Sequence, residues 1–267
     1  MIRRDPDQII PGRMETAGVP TPRTGDHDMD IVRGRDSREA WTERSRIVLT
    51  PIAAPSILGL FGFAGATFMV GSLLAGWWGI PADAAILAPF ALFFGGLAQL
   101  LAGMWSCRAR DGVATAMHGT WGAFWLAWGL LVLLVTWGVL PLAVLSSRAF
   151  GFWFIVLTVV TLFGTAAAAT ENLAVTTVLG LLTAGSGLLA AGFVGGLPTV
   201  VIAGGWVLVA SAVAAFYTAG AMMLAEATNG RTVLPLGKHS AAANIAGRRI
   251  MEPIGYPDGM PGARVGQ

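Results

Sequence analysis

The charged residues of this 267-residue chain are distributed very unevenly. Residues 48–225, two thirds of the chain, carry only six formal charges, whereas residues 1–47 alone carry eighteen. Because a soluble domain consists of about one quarter charged residues, a water-soluble fold is excluded for the central region. We therefore predict an integral membrane domain between two polar tails.

Six apolar segments, separated by short turns, are each long enough to cross a bilayer. The predicted helices are 57–78, 84–105, 116–140, 150–169, 173–193 and 199–224. The 36 glycines favour close packing of such helices in lipid, where small residues let two backbones approach. The predicted fold class is all-α, a polytopic membrane protein with a bundle of six transmembrane helices.

An even number of spans places both tails on one side of the membrane. Most basic residues near the membrane lie on that side, namely Arg44, Arg46, Arg108, Arg110, Arg231 and Lys238, and only Arg148 lies opposite. The positive-inside rule then predicts cytoplasmic termini, and we expect a multi-pass protein of the plasma (inner) membrane. The predicted domains are a disordered charged tail (1–50), the membrane domain (51–228) and a C-terminal cytoplasmic tail (229–267).

No arrangement of residues indicates catalysis. The single cysteine, Cys107, excludes a disulfide within the chain. The glycine-rich stretches lie inside apolar helices, whereas a nucleotide-binding loop joins a strand to a helix. We therefore predict that the protein is not an enzyme, has no cofactor or metal ion, and binds no nucleic acid.

Polar residues within or next to the spans are functional candidates, since an unpaired polar group in lipid is costly. Gln99, in the middle of the second span, either joins two helices or faces a hydrated pathway. His118, near the start of the third span, could relay a proton or lie at the membrane interface. Glu171 could couple protons at the cytoplasmic mouth or be a solvated turn residue. Because the span interiors carry no fixed cation, any cargo should be small and neutral, or weakly charged, as it crosses.

Four motifs occur in order over residues 55–238. They are Leu58-Gly59-Leu60-Phe61-Gly62-Phe63, the segment 93–105 with Phe93-Phe94-Gly95-Gly96 and Gln99, Gly122-Ala123-Phe124-Trp125, and the closing segment from Gly205-Trp206 through Tyr217 to Gly237. Together they resemble the acetate uptake transporter family, the succinate–acetate permeases. The resemblance implies a homohexamer of six-helix protomers, each with its own pathway. It also implies proton-linked uptake of acetate and related short monocarboxylates, in some members succinate.

The same resemblance implies where the pathway lies. Its apolar constriction corresponds here to Phe63, Trp121 and Leu182. Positions that correspond to polar or size-setting residues of the pathway are Gln99, Phe94, Thr183, Ala215 and Tyr217. For Gln99, the resemblance favours the pathway over a purely structural role.

The chain departs from the family pattern at several points. Ala53-Ala54-Pro55-Ser56 stands where the family has Asn-Pro-x-Pro, and Phe94 and Trp121 each replace a tyrosine. The larger aromatic ring of Trp121 predicts a tighter gate or a different substrate. These departures leave two alternatives open: a transport-deficient membrane scaffold or sensor of the same fold, and a channel for another small neutral solute such as ammonia or water.

Overall fold

The computed structural model describes residues 52–109 and 111–238 of the chain. Within these ranges, six helices are long and apolar enough to cross a membrane. They are α1 (Pro55–Leu74), α2 (Pro81–Arg108), α3 (Gly112–Thr136), α4 (Arg148–Ala168), α5 (Leu173–Gly195) and α6 (Pro198–Ala227). The predicted all-α bundle is confirmed, and the predicted N-terminal tail, 1–50, lies outside the described residues.

The helix ends follow from local residue chemistry. α1 and α6 begin at Pro55 and Pro198, where proline is tolerated because the first helical N–H groups have no partner within the helix. α5 is terminated by Gly196, the residue after its last, whose φ of 63° is left-handed. Glycine adopts this conformation without the steric cost of a side chain. Between these ends a helix satisfies its own backbone, as a lipid environment requires.

The charged residues of the described membrane region all lie at helix ends or in turns. They are Asp83, Arg108, Asp111, Arg148, Glu171 and Glu226. Asp111 caps α3, since its Oδ1 accepts a hydrogen bond of 2.9 Å from the Ala114 N–H. Throughout the described ranges, the interiors of the six helices therefore carry no formal charge.

α2 is less regular than the single helix expected over 84–105. A short 3₁₀ turn, Pro81–Asp83, leads into α-helix Ala84–Phe90, a π-helical stretch Ala91–Ala98 and a final α-helix Gln99–Arg108. Pro89 lies inside the first part and has no N–H to donate. The wider π-helical turns that follow keep the later backbone groups hydrogen-bonded despite this break.

The helices pack in an order that is not simply sequential. α1 packs against α6, α6 against α5 and α5 against α4, while α2 packs against α3 and both contact α1. The Ala54 N–H donates to Glu226 Oε1 at 2.8 Å, so the start of α1 and the end of α6 meet. We call this end of the bundle the tail-side face and the opposite end the far face. The start of α1 and the end of α6 therefore lie at the same end of the bundle.

Residues 229–238, assigned from sequence to the C-terminal tail, return to the tail-side face. The first two N–H groups of α5, at Leu173 and Ala174, donate to Gly237 O at 2.9 Å and Leu236 O at 3.0 Å. The Leu236 side chain is buried. The C-terminal segment thus satisfies helix-terminal donors that would otherwise lack partners.

Candidate functional site

A cavity of about 760 Å³ opens at the far face of the bundle. Residues from the three connections at that face, 79–81, 142–146 and 196–198, line its mouth. Its aromatic lining residues are Trp121, Phe124, Trp125, Trp128, Phe150, Phe154 and Phe193. Among the described residues that line this cavity, none carries a formal charge.

Two of the three predicted constriction residues are in contact. Trp121 is the cavity-lining residue of α3 that lies closest to the tail-side face. Its ring meets the ring of Phe63 from α1 edge to face, with centroids 6.1 Å apart, and both side chains are buried. This edge-to-face geometry is a favourable aromatic arrangement, so the pair forms a firm apolar contact beside the inner part of the cavity.

Leu182, the third predicted constriction residue, belongs to the same buried apolar cluster. Its neighbour Thr183 shares a hydrogen bond of 3.0 Å with Thr165 of α4. One turn away on α4, Thr161 accepts a hydrogen bond of 3.0 Å from Trp121 Nε1. Through these two bonds, α4 joins the helices that carry Trp121 and Leu182.

Gln99 and His118 both face the glycine surface of α1. A methyl group added at Gly62 would lie 3.5 Å from Gln99 Cβ, and one added at Gly59 would lie 2.5 Å from His118 Cε1. His118 is buried between helices. Gln99 Oε1 and His118 Nδ1 have no hydrogen-bond partner within the described part of the chain. Gln99 therefore meets α1 through close packing, with its carbonyl oxygen unbonded.

The remaining predicted site residues are spread over the bundle. Phe94 is 41% exposed, and its ring lies beside Gly65 of α1. Ala215 is fully buried in the apolar cluster. Tyr217 is also 41% exposed, and its hydroxyl donates to Pro235 O at 2.7 Å. Glu171 is half-buried in the turn between α4 and α5, so it and His118 belong to different parts of the tail-side half.

The structure adds residues that sequence reasoning missed. Thr67 and Trp125 line the cavity, and Thr161 binds the indole of Trp121. A sequence signal for Thr161 exists, because Thr158, Thr161 and Thr165 recur at a spacing of three and four residues and so share one face of α4. Within 52–109 and 111–238, no group of three or more His, Cys, Asp or Glu side chains could hold a metal ion.

Comparison with known proteins assigns the family. A sequence model of the GPR1/FUN34/yaaH family matches residues 42–236. The chain belongs to this family. The assignment confirms the resemblance to acetate transporters that the four motifs indicated, because relatives with that function are among the matches.

Three relatives of known name are similar to the chain. The succinate-acetate/proton symporter SatP of Escherichia coli strain K12 is 31% identical over 191 residues, which are 71% of this chain and 97% of that protein. The solved structure of the bacterial acetate channel SatP superposes with a TM-score of 0.64 at 27% identity, covering 70% of this chain and 100% of that one. Ammonia transport outward protein 2 of Saccharomyces cerevisiae is 35% identical over 79 residues, which are 30% of this chain and 28% of that protein.

These relatives are named as transporters or channels. Family membership and the six membrane-spanning helices together identify the chain as a multi-pass protein of the plasma (inner) membrane.

Proposed function

We propose that this protein is a transporter or channel for acetate and related short monocarboxylates, succinate among them, with a pathway through each protomer. The observation that carries the proposal is the uncharged cavity, which reaches from the far face to Trp121. Its support from relatives is the similarity to SatP, named as a succinate-acetate/proton symporter and as an acetate channel.

The chemistry of the cavity supports the proposal of proton linkage. An ionised carboxylate pays a large desolvation penalty in apolar surroundings unless a partner charge compensates it. The described lining residues of the cavity offer no such charge. The protonated acid avoids the penalty, so we propose that the cargo crosses as the neutral acid or together with a proton.

The proposed constriction consists of Phe63, Trp121 and Leu182. The edge-to-face contact between Phe63 and Trp121 supports it, as does the burial of all three side chains in one apolar cluster. We propose Gln99, Phe94, Thr183, Ala215 and Tyr217 as polar or size-setting residues of the pathway. His118 and Glu171 are the proposed proton relay residues on the tail side.

We also propose a homohexamer with cytoplasmic termini. Large apolar side chains remain exposed on the protomer, for example Phe152 and Phe163 of α4, and such surfaces are covered by lipid or by neighbouring protomers. Native mass spectrometry of the full-length protein released from nanodiscs should give six subunits, and a monomer as the largest species would contradict the assembly.

The central test is uptake of labelled acetate into proteoliposomes with an acidic exterior. We expect uptake that rises with the pH gradient, and no uptake above protein-free vesicles at any gradient would contradict the proposal. Leu182→Trp should block this uptake, because Leu182 is 1% exposed and has no room for a larger ring. Leu162→Trp is the matched control, since Leu162 is 55% exposed and lies on the outer surface of the protomer.

A second cargo, a small neutral solute such as ammonia, is favoured by one comparison. The Saccharomyces cerevisiae relative named for outward ammonia transport matches part of the chain, and an uncharged cavity suits a neutral molecule. Stopped-flow measurement of vesicle pH after an ammonium jump tests it. If ammonia crosses without competition from acetate, and acetate itself does not cross, ammonia replaces acetate as the proposed cargo.

A further inference from the structure

Three threonines of α4 share one face of that helix, and two of them bind neighbouring helices. Thr161 meets Trp121 of α3, and Thr165 meets Thr183 of α5. The third, Thr158, donates only to Phe154 O of its own helix, at 2.7 Å. Side chains of α4 are thus hydrogen-bonded to both α3 and α5 close to the proposed constriction.

The bond between Trp121 and Thr161 has a defined direction. The Thr161 hydroxyl lies 2.7 Å from Leu157 O, and its single proton is donated to that carbonyl. Its oxygen therefore accepts the indole N–H of Trp121, at 3.0 Å. The two hydrogen bonds link the Trp121 ring, through the Thr161 hydroxyl, to the backbone of α4. They thereby anchor the ring to a helix.

The surroundings favour one orientation of the Trp121 ring, the one in which its indole N–H is hydrogen-bonded. Trp121 is 2% exposed and Thr161 is fully buried, so an indole N–H turned away from Thr161 would lose its partner in apolar surroundings. The rings of Phe63 and Phe124 meet Trp121 edge to face, with centroids 6.1 Å and 5.3 Å away. The two phenylalanines position the faces of the indole, and the hydrogen bond sets its rotation.

We propose that Thr161 is a positioning residue that fixes Trp121 and thereby sets the size selectivity of the constriction. The selectivity part of this inference rests on the proposed function, whereas the fixing of the ring does not. Because α4 holds the indole ring of Trp121 in one orientation, the width of the proposed constriction is fixed. Without the Thr161 hydroxyl, the ring would exchange between orientations and admit larger acids.

The first test observes the ring directly. Full-length protein labelled with 5-fluorotryptophan is measured by ¹⁹F NMR in nanodiscs, and the Trp121 signal is assigned by its loss in Trp121→Phe. We expect Thr161→Val to shift and broaden this signal and Thr161→Ser to retain it. Thr158→Val is the matched control and should leave it unchanged, because its hydroxyl binds only within α4. Thr161→Ala gives the same comparison with a smaller side chain, should the valine variant fold poorly.

The second test measures selectivity in proteoliposomes. We expect the acetate-to-butyrate uptake ratio to fall about fivefold in Thr161→Val, as loss of a buried hydrogen bond shifts a conformational equilibrium by that order. Thr161→Ser should restore the ratio. In a Trp121→Phe background, Thr161→Val should change nothing, because phenylalanine has no N–H for Thr161 to accept.

The outcomes separate the two proposals. An unchanged Trp121 signal in Thr161→Val would overturn the positioning role, whatever the flux. A changed signal with an unchanged uptake ratio would overturn the link to selectivity. A changed signal in a protein that takes up neither acid would support the fixing of the ring and contradict the proposed function.

Discussion

The two halves of the bundle differ in how their helices meet. The far half encloses a cavity of about 760 Å³ with aromatic and aliphatic walls. In the tail-side half, glycines bring α1, α2 and α3 into close contact around buried polar side chains. Gln99 Oε1, Ser106 Oγ and His118 Nδ1 all lack a hydrogen-bond partner within the described ranges.

For the proposed pathway, this difference predicts that passage is resisted in the tail-side half. The far half is open down to Trp121, whereas the tail-side half is closed by contacts between backbones. Each unpartnered buried polar atom costs about 1–3 kcal/mol, so the closed packing is formed at a local energetic disadvantage. Thr67 Oγ1 and Trp125 Nε1 beside the cavity lack a partner in the described ranges as well, so such atoms occur in both halves.

The boundary between the halves is tested most severely by Trp121→Ala. Removing this buried ring should lower the free energy of unfolding by about 3–5 kcal/mol and join the cavity to the tail-side half. We expect the acetate-to-butyrate uptake ratio to fall at least about tenfold, the change that 1.4 kcal/mol of discrimination represents. Thermal unfolding in detergent and paired uptake assays measure the two effects.

Trp137→Ala is the control for that experiment, because Trp137 is 67% exposed beyond the end of α3. It should change neither the stability nor the uptake ratio appreciably. If Trp121→Ala leaves the uptake ratio intact, Trp121 does not separate the halves.

The close packing of the tail-side half is tested by Gly103→Ala. The added methyl group would lie 2.7 Å from the Gly119 backbone nitrogen, so α2 and α3 would have to separate. We expect the free energy of unfolding to fall by about 1–3 kcal/mol, measured by thermal unfolding in detergent.

Gly119→Ala is a matched control from the same helix contact. A methyl group there meets no other atom within 4 Å, and alanine is the better helix former. Stability should therefore be unchanged or slightly higher. Equal losses in both variants would show that backbone approach is not what closes this half.

The contact between α1 and His118 is tested by a size-compensating pair. Gly59→Ala would place a methyl group 2.5 Å from His118 Cε1 and Nδ1, and we expect a loss of about 1–2 kcal/mol of stability. In a His118→Ala background the same substitution should cost much less, because the ring is gone. A double-mutant cycle measures this coupling, and strict additivity would show that the ring moves aside freely.

The smallest effect is expected at the C-terminal segment. Tyr217→Phe removes the 2.7 Å bond to Pro235 O and should lower stability by about 0.5–1 kcal/mol, since the tyrosine is partly exposed. It should also speed proteolysis within 229–238. Thr177→Val, which loses only a bond to Leu173 O within α5, should not change the proteolysis rate, and an equal rate in both variants would contradict the role of Tyr217.

The helices were predictable from the sequence, but some of their internal details were not. Turns and charged residues mark each end, so the predicted limits fall within a few residues of those observed. The π-helical stretch Ala91–Ala98 was not foreseen, because an irregular turn arises from the balance between Pro89 and packing against other helices. Similarly, Phe63 and Trp121 were named only through a family resemblance, whereas the acceptor Thr161 carries no motif.

The sequence by itself determined that this chain spans a membrane with six helices whose described interiors carry no charge. Local chemistry is sufficient for that, since a charge-free apolar segment is stable in lipid only as a self-satisfied helix. The tertiary structure decided which buried polar groups have partners and which half of the protomer is open. Those properties depend on distances between helices, which are set by contacts at single glycines and threonines from different helices, so spacing along the sequence does not encode them.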